Sequence, residues 1–496
     1  MNENESSVGG TPRDTGGIGG HPRGLTTLFF TEMWERLSYY GMRSFLVLFM
    51  TASVAAGGLG LTTAVAARVY GLYTASVYLA SLPGGWVADR ILGLRKAVLW
   101  GGIAIMMGHF TLIIHSDVTF YTGLILIVIG TGLLKPNISA LVGELYERDD
   151  PRKDSGFSLY YMGINLGAFI APLVCGTLAQ NVGWHWGFGA AGVGMMFGLI
   201  QYTLTANRLG EAGKAPEKNA DAAEGGISMG GLLWLGGLAM IVIAMAGDLV
   251  FGLNLSQLQR FLILLTGSAV FMASLYVGGN FNATEKKRGI SIFFLFLVAA
   301  LFWAGFEQAG SSLTLFADRM TDNSIGSTEF PSTWYQSLNP IFIILLAPVF
   351  SWMWIKMGSK QPSSPAKFSL GLVGVGAGFV IMVFAAQRAA AGGGLLVSPG
   401  WLFTTYLLHT LGELCLSPVG LSVMTKLAPQ KIVGQIMGVW FLAAAIGNYM
   451  GGEIAGLFET LPLPQLFGTV AAINIGVAVV VIALAPLVKK QMGGVR

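Results

Sequence analysis

Apolar runs of about 20 residues, each enough to carry a helix across a bilayer, recur over nearly the whole length of this chain. One such run would anchor a protein. A succession of them makes it polytopic, with a fold set by how helices pack inside lipid. Composition agrees: 53% of residues are hydrophobic and 11% are charged, where a soluble domain carries about 25% charged residues. The first run begins near Leu25 and contains charges, so it does not read as a cleaved signal peptide. Cys175 and Cys415 lie in separate apolar runs without ligand-like spacing. They read as packing residues, and neither a disulfide framework nor a metal site is expected. The net charge of +4 calls for no nucleic-acid partner.

The hydrophobic pattern predicts spans near 26–53, 64–91, 96–115, 119–146, 155–180, 184–206, 228–250, 258–280, 290–318, 333–356, 367–388, 399–427, 432–457 and 465–488. Loop charge tests this parity. Alternate loops and both tails carry 22 of the 29 basic residues, among them Arg90, Arg95, Lys96, Lys286, Lys287 and Arg288. The opposite loops hold only Arg260, Arg319 and Arg388. Basic loops stay in the cytoplasm, so both termini are expected inside, and an even number of helices follows. The Gly-rich, polar start, residues 1–24, reads as a disordered cytoplasmic tail.

A weak internal repeat divides the spans. Gly130-x4-Lys135-Pro136 resembles Gly412-x4-Ser417-Pro418, and Glu35 in the first span has a counterpart in Glu307. The expected organisation is a six-helix bundle over 25–206, a linker with an inserted helix pair over 207–289, and a second six-helix bundle over 290–496. Two related halves around a midplane site are a transporter plan. The inserted pair is nearly charge-free apart from Asp248 and Arg260, and is read as structural packing or lipid contact.

Residues 32 to 43 place Glu32, Glu35, Arg36 and Arg43 inside a membrane span. Each such charge costs about 2.5 to 3.5 kcal/mol at the centre of a lone inserted helix. Residues four apart share a helix face, so Glu32, Arg36, Tyr40 and Arg43 form one stripe with Glu35 and Tyr39 at its edge. Arg36 cannot neutralise two carboxylates at once, and the excess acid is expected to take up and release a proton. The bland alternative is a static ion pair that orients the helix. Lys135, Glu307 and Glu413 are lone charges in other spans. Charge balance suggests Lys135 with Glu413 and Arg43 with Glu307, pairs that could form and break as the halves move. Arg68 reads as a snorkelling span-end residue. Tyr78, Asn165, Trp303, Asn339 and Trp440 are weaker candidates, for which helix packing is the competing explanation.

These residues resemble those of the proton-coupled oligopeptide transporter family of the major facilitator superfamily. The resemblance rests on Glu32-x-x-Glu35-Arg36 with Tyr39-Tyr40-Gly41, and on Gly85-Trp-Val-Ala-Asp89-Arg90-x-x-Gly93-x-Arg95-Lys96. Further along are Gly132-x-x-Lys135-Pro136-x-x-Ser139 and Phe157-Ser-x-Tyr160-Tyr161-x-x-Ile164-Asn165-x-Gly167. The second half adds Phe302-Trp303 with Glu307-Gln308, Gln336-Ser-Leu-Asn339-Pro340 and Gly412-Glu413-x-x-x-Ser417-Pro418. Leu37 stands where the family commonly has Phe after Glu-Arg, a departure that touches no charge.

The resemblance implies a proton-driven symporter of di- and tripeptides working by alternating access. It implies proton coupling through Glu32, Glu35, Arg36 and Glu307. It places Arg36 and Lys135 toward the peptide carboxylate and Glu413, Asn165 and Asn339 toward the amine. Tyr40, Tyr78, Trp303, Ser417 and Trp440 would shape the pocket. Arg43–Glu307 and Lys135–Glu413 would be gating salt bridges, with the latter closing the cytoplasmic side of the outward-open state. The proton is the only coupling partner implied, with no cofactor and no metal. The setting is the cytoplasmic membrane, and a monomer should suffice. A same-fold carrier for nitrate, an organic anion or an amino-acid derivative is the main alternative, and so many acids argue against an anion carrier. An intramembrane enzyme would need a nucleophile–base pair or a metal cluster, and the five histidines show no paired spacing. A channel would call for a single-sign ring of charge rather than unlike charges in two halves.

Overall fold

The computed structural model describes residues 14–147, 150–214, 229–393 and 395–494. Among these, fourteen long helices occupy the predicted spans. The first six are α1 (Arg23–Thr51), α2 (Thr63–Val87), α3 (Leu94–Thr111), α4 (Asp117–Glu144), α5 (Lys153–Asn181) and α6 (Trp184–Thr205). The inserted pair is α7 (Met229–Phe251) and α8 (Gln257–Ser274). The remainder are α9 (Ala283–Arg319), α10 (Leu338–Met357), α11 (Ser364–Ala391), α12 (Gly400–Leu427), α13 (Val433–Ala455) and α14 (Leu463–Gln491). Ten described helical stretches are long and apolar enough to cross a membrane by length and composition.

Short polar caps start several of these helices in the loops. Thr62 and Ser116 each accept a hydrogen bond from a first-turn amide of α2 and α4. Ser256 with Gln259, and Asn282 with Glu285, form reciprocal capping boxes on α8 and α9. Long apolar stretches therefore stop and restart at defined residues rather than running together.

Within the first six helices, α1 packs on α5 and α6, α3 on α4 and α6, and α2 on α4. In the second set, α11 packs on α12 and α14, and α9 on α13. Two seams join the sets, α2 against α13 and α5 against α10. At the first seam the backbones touch, because a Cβ on Gly71 would lie 2.8 Å from Gly452 Cα. Any larger residue at either position would force the helices apart.

The two ends of the bundle differ. We call the end bearing the Arg- and Lys-rich loops the basic end, and the other the far end. Among the described residues, the hydrogen bonds and ion pairs linking the two sets lie at mid-depth or toward the far end. Gln336 donates to Ser44 O (2.9 Å), Ser337 to Phe169 O (2.8 Å), and Trp334 Nε1 to Thr177 Oγ1 (2.8 Å). Gln180 bonds Ser332 and Thr333, and Glu459 accepts from both Thr63 and Arg319. The far end is sealed. At the basic end a cavity runs out past Trp86, Asp89 and Arg90 of α2 and its following turn, and past Gly434 and Gln435 of α13.

Three sequence expectations change. The described part of the start, residues 14–24, is folded rather than a loose tail. Asp14 accepts from Arg23 N (2.9 Å), His21 bonds Tyr146 (2.8 Å), and Arg152 donates to Gly20 O (3.0 Å). Residues 1–13 lie outside the described residues. Arg260, assigned above to a loop, is inside α8 and 5% exposed, and both it and Asp248 make ion-pair contacts. Finally, Trp234, Leu238 and Phe271 of the inserted pair line the central cavity, so the pair does more than face lipid.

Candidate functional site

The cavity, about 1980 Å³, is walled by both helix sets. From α1 come Glu32, Arg36, Tyr40 and Arg43; from α2, Tyr78; from α4, Lys135; and from α5, Asn165. From the other side come Trp303 and Glu307 of α9, Asn339 of α10, Glu413 and Ser417 of α12, and Trp440 of α13. The helical four-residue spacing read from residues 32–43 does turn the charged stripe of α1 inward. The exception is Glu35, which is fully buried and does not reach the cavity wall.

Arg36 is the centre of the first-half cluster. Its Nε lies 2.9 Å from Glu32 Oε1 and 2.5 Å from Glu35 Oε2. These contacts have ion-pair distance, and Arg36 Nε makes no aligned hydrogen bond with either carboxylate. Arg36 Nη2 and both Glu35 oxygens have no hydrogen-bond partner among the described protein groups. A guanidinium in this state keeps donors for a further anion. Tyr39 lies 5.6 Å from the Arg36 guanidinium and adds an aromatic face.

Lys135 sits over the Tyr78 ring, with Nζ 3.9 Å from the centroid. Among the described residues it makes no ion pair. Glu413 instead accepts a 2.8 Å hydrogen bond from Asn339 Nδ2, which also reaches Thr410 at 3.1 Å. The Lys135–Glu413 pairing suggested by charge balance is thus not made in this conformation. The halves are apart at the basic end, and each residue has taken a partner in its own half. Asn165 donates back to Tyr161 O of its own helix (2.9 Å).

Arg43 and Glu307 do meet. Their side chains are each 6% exposed, and Arg43 Nη2 donates to Glu307 Oε2. Arg43 Nε donates to Tyr70 Oη at 2.7 Å. The sequence reading did not single out Tyr70. The structure explains its place through Gly310, where a Cβ would lie 1.8 Å from Tyr70 Oη. The helix of α9 breaks into a 3-10 turn at Glu307–Gly310, which sets the carboxylate against Arg43 and leaves room for the tyrosine. Gln336, quoted above only within a motif, also lines the cavity. Its tie to Ser44 could not be seen in sequence, since nearly 300 residues separate them. His409 lines the cavity too, but its ring packs on Gly378 of α11.

The site therefore combines three cations, Arg36, Arg43 and Lys135, and one acid, Glu32, on the first-half wall with two acids, Glu307 and Glu413, and Asn339 opposite, and Asn165 alongside. It can bind a small solute with charged ends. It has the form of a binding site rather than a bond-breaking one.

Comparison with known proteins agrees. Residues 95–469 match the POT family. The chain is 43% identical over 500 residues to an uncharacterised transporter, YclF, of Bacillus subtilis, covering 99% of each chain. It is 41% identical to the peptide transporter YePEPT of Yersinia enterocolitica, covering 94% of this chain and 95% of that one. A solved peptide transporter POT in complex with sulfate superposes with a TM-score of 0.84 at 40% identity, covering 97% of this chain and 98% of the other. The chain is a membrane transporter, not an enzyme, and it belongs to the POT family.

Proposed function

We propose that this protein is a proton-coupled symporter that imports di- and tripeptides across the cytoplasmic membrane by alternating access. The observation that carries the reading is the division of charge across the cavity. Arg36 and Lys135 stand on first-half helices, and Glu413 with Asn339 on second-half ones. A zwitterion needs cations at one end and an anion at the other. Recognition of the two ends leaves the peptide's side chains loosely specified, so many sequences are accepted.

With basic loops inside, both termini are cytoplasmic and the conformation described is open inward. Arg43–Glu307 holds the outer side shut. Lys135 and Glu413 are free to pair when the inner side closes. A proton reaching the Glu307 region weakens its hold on Arg43. A peptide carboxylate competes for Arg36 and Lys135, and a proton settles on the carboxylates of the Glu32–Glu35 pair. One proton moving down about 100 mV supplies about 2.3 kcal/mol, and one pH unit adds about 1.4 kcal/mol. Together they sustain a neutral peptide gradient of roughly 500-fold. The proton is the coupling ion and no cofactor is needed. A single chain encloses the whole cavity, so a monomer suffices.

Reconstitution in liposomes tests this. Dialanine and trialanine uptake should follow an inward proton gradient and stop accumulating when it is collapsed. Glu35→Gln should abolish proton-driven accumulation and leave counterflow exchange. Full-rate accumulation by that variant would refute the coupling assignment.

A further inference from the structure

The inserted pair reaches the far end of the bundle through a knot of four charges. Arg260 of α8 is ion-paired with Asp248 of α7, donates to Tyr449 Oη of α13 (2.8 Å), and lies 3.4 Å from Glu453. Glu453 also accepts from Gln257 at the start of α8 (3.0 Å). Its third donor comes from the other half: Arg68 Nε of α2, at 3.1 Å. Tyr449 closes the knot by donating to Ala244 O of α7 (3.3 Å).

These contacts are unequal. The side chains of Arg260 and Glu453 are 6% and 11% exposed, whereas that of Arg68 is 50% exposed. Arg68 is the single member from the first half, and it sits on the α2–α13 seam. When the far end opens, that seam separates and Arg68 departs. Glu453 is then left with Arg260, which is tied to Tyr449 of α13, and with Gln257 beside it on α8. Without Arg260, a largely buried carboxylate would keep Arg68 as its one cation, and the half-to-half link would become costly to break.

We propose that the inserted helix pair supplies a resident counter-charge, Arg260, that lets Glu453 release Arg68 when the far end opens. The pair thereby sets the ease of gating without lying between the halves. This rests on the alternating-access reading above.

Spin labels at Val118→Cys and Leu395→Cys, both exposed at the far end on opposite halves, report the opening by their separation. Arg260→Gln should shift the distance distribution toward the sealed separation and slow dialanine uptake by about tenfold. Adding Arg68→Gln removes the link that had become too strong, and should restore uptake to within about twofold of wild type. Arg260→Lys keeps the charge and should stay near wild type. The proposal fails if Arg260→Gln leaves the distances unchanged. It fails equally if the double variant is as slow as Arg260→Gln alone, or if Arg260→Lys is as slow as the glutamine. A damaged fold would not be rescued by a second substitution on α2. The labels report motion without any substrate, so a wild-type protein that opens and closes but moves no peptide would count against the substrate reading and not against this one.

Discussion

Glu307→Gln keeps the shape of the side chain and removes its charge, as a bound proton would. In the sealed conformation Arg43 and Glu307 are each 6% exposed, so bulk water cannot take over from the lost carboxylate. Breaking a buried pair by neutralising one member costs about 3 to 5 kcal/mol when the remaining charge is left bare. Arg43 is not bare. Tyr70 Oη stays at 2.7 Å, and the rings of Tyr39, Tyr40 and Tyr70 lie 5.5 to 6.0 Å from its guanidinium. Contacts of this kind are worth about 0.5 to 1 kcal/mol each when exposed and more when desolvated, so they offset a good part of that loss, and the glutamine oxygen still accepts a hydrogen bond. The net loss to the sealed state is then about 1 to 3 kcal/mol, a population shift of about 5- to 150-fold. Far-end spin labels would record it directly as growth of the open separation in the absence of substrate. An unchanged distance distribution would show that Arg43–Glu307 is a passive pair and that the other far-end contacts carry the seal.

Removing Glu413 should act on one end of the substrate. Glu413→Ala should raise the KM for dialanine at least tenfold, since leaving a buried charged group unpaired costs about 2 to 5 kcal/mol, with little effect on an N-acetylated dipeptide; competition uptake assays separate the two. Lys135→Ala should raise the KM similarly for free peptides and much less for a peptide amide. Gly71→Val should wedge the α2–α13 seam, where even a Cβ would come within 2.8 Å of backbone; overpacking of about 1 to 3 kcal/mol should appear as a lower Tm and a smaller sealed population. Glu459 lies in the loop between α13 and α14, and the hydrogen bonds from Thr63 and Arg319 hold its carboxyl below the usual value. A depressed carboxyl contributes stability above its unfolded pKa and loses it only as pH falls through the folded one, so Glu459 stays charged from about pH 5 to 8. Glu459→Gln should therefore weaken the seal without changing the shape of the pH–uptake profile in that range.

The features legible in the sequence were those set by local periodicity and by the cost of charge in lipid. Helical spacing was enough to turn Glu32, Arg36, Tyr40 and Arg43 to one side, and the cavity lies on that side. Charge balance found Glu307 for Arg43, because few cations exist at membrane depth to choose among. The same arithmetic paired Lys135 with Glu413, and here it met a property that sequence does not carry, the conformational state. The three-residue offset from Glu32 leaves Glu35 on the edge of the stripe, where helical spacing alone does not decide exposure; the packing around it decides that it is covered. Tyr70 was invisible for a related reason, since its role depends on a glycine 240 residues away. Arg260 was misplaced because a charge at a span boundary reads as loop until a buried acid partner is seen.

The covered position of Glu35 bears on how economically a carrier of the proposed proton-coupled kind would use its driving force. A carboxylate lining an open cavity would equilibrate with bulk water on either side, and each conformational cycle could then slip a proton across with no cargo. Glu35 is fully buried and held against the Arg36 guanidinium, so solvent protons do not reach it without a shift of the side chains that cover it. On the proposed mechanism the arriving peptide carboxylate is what draws the guanidinium away. On that reading the Glu35 site takes up its proton only when cargo is present, which would limit futile passage of protons through an empty carrier.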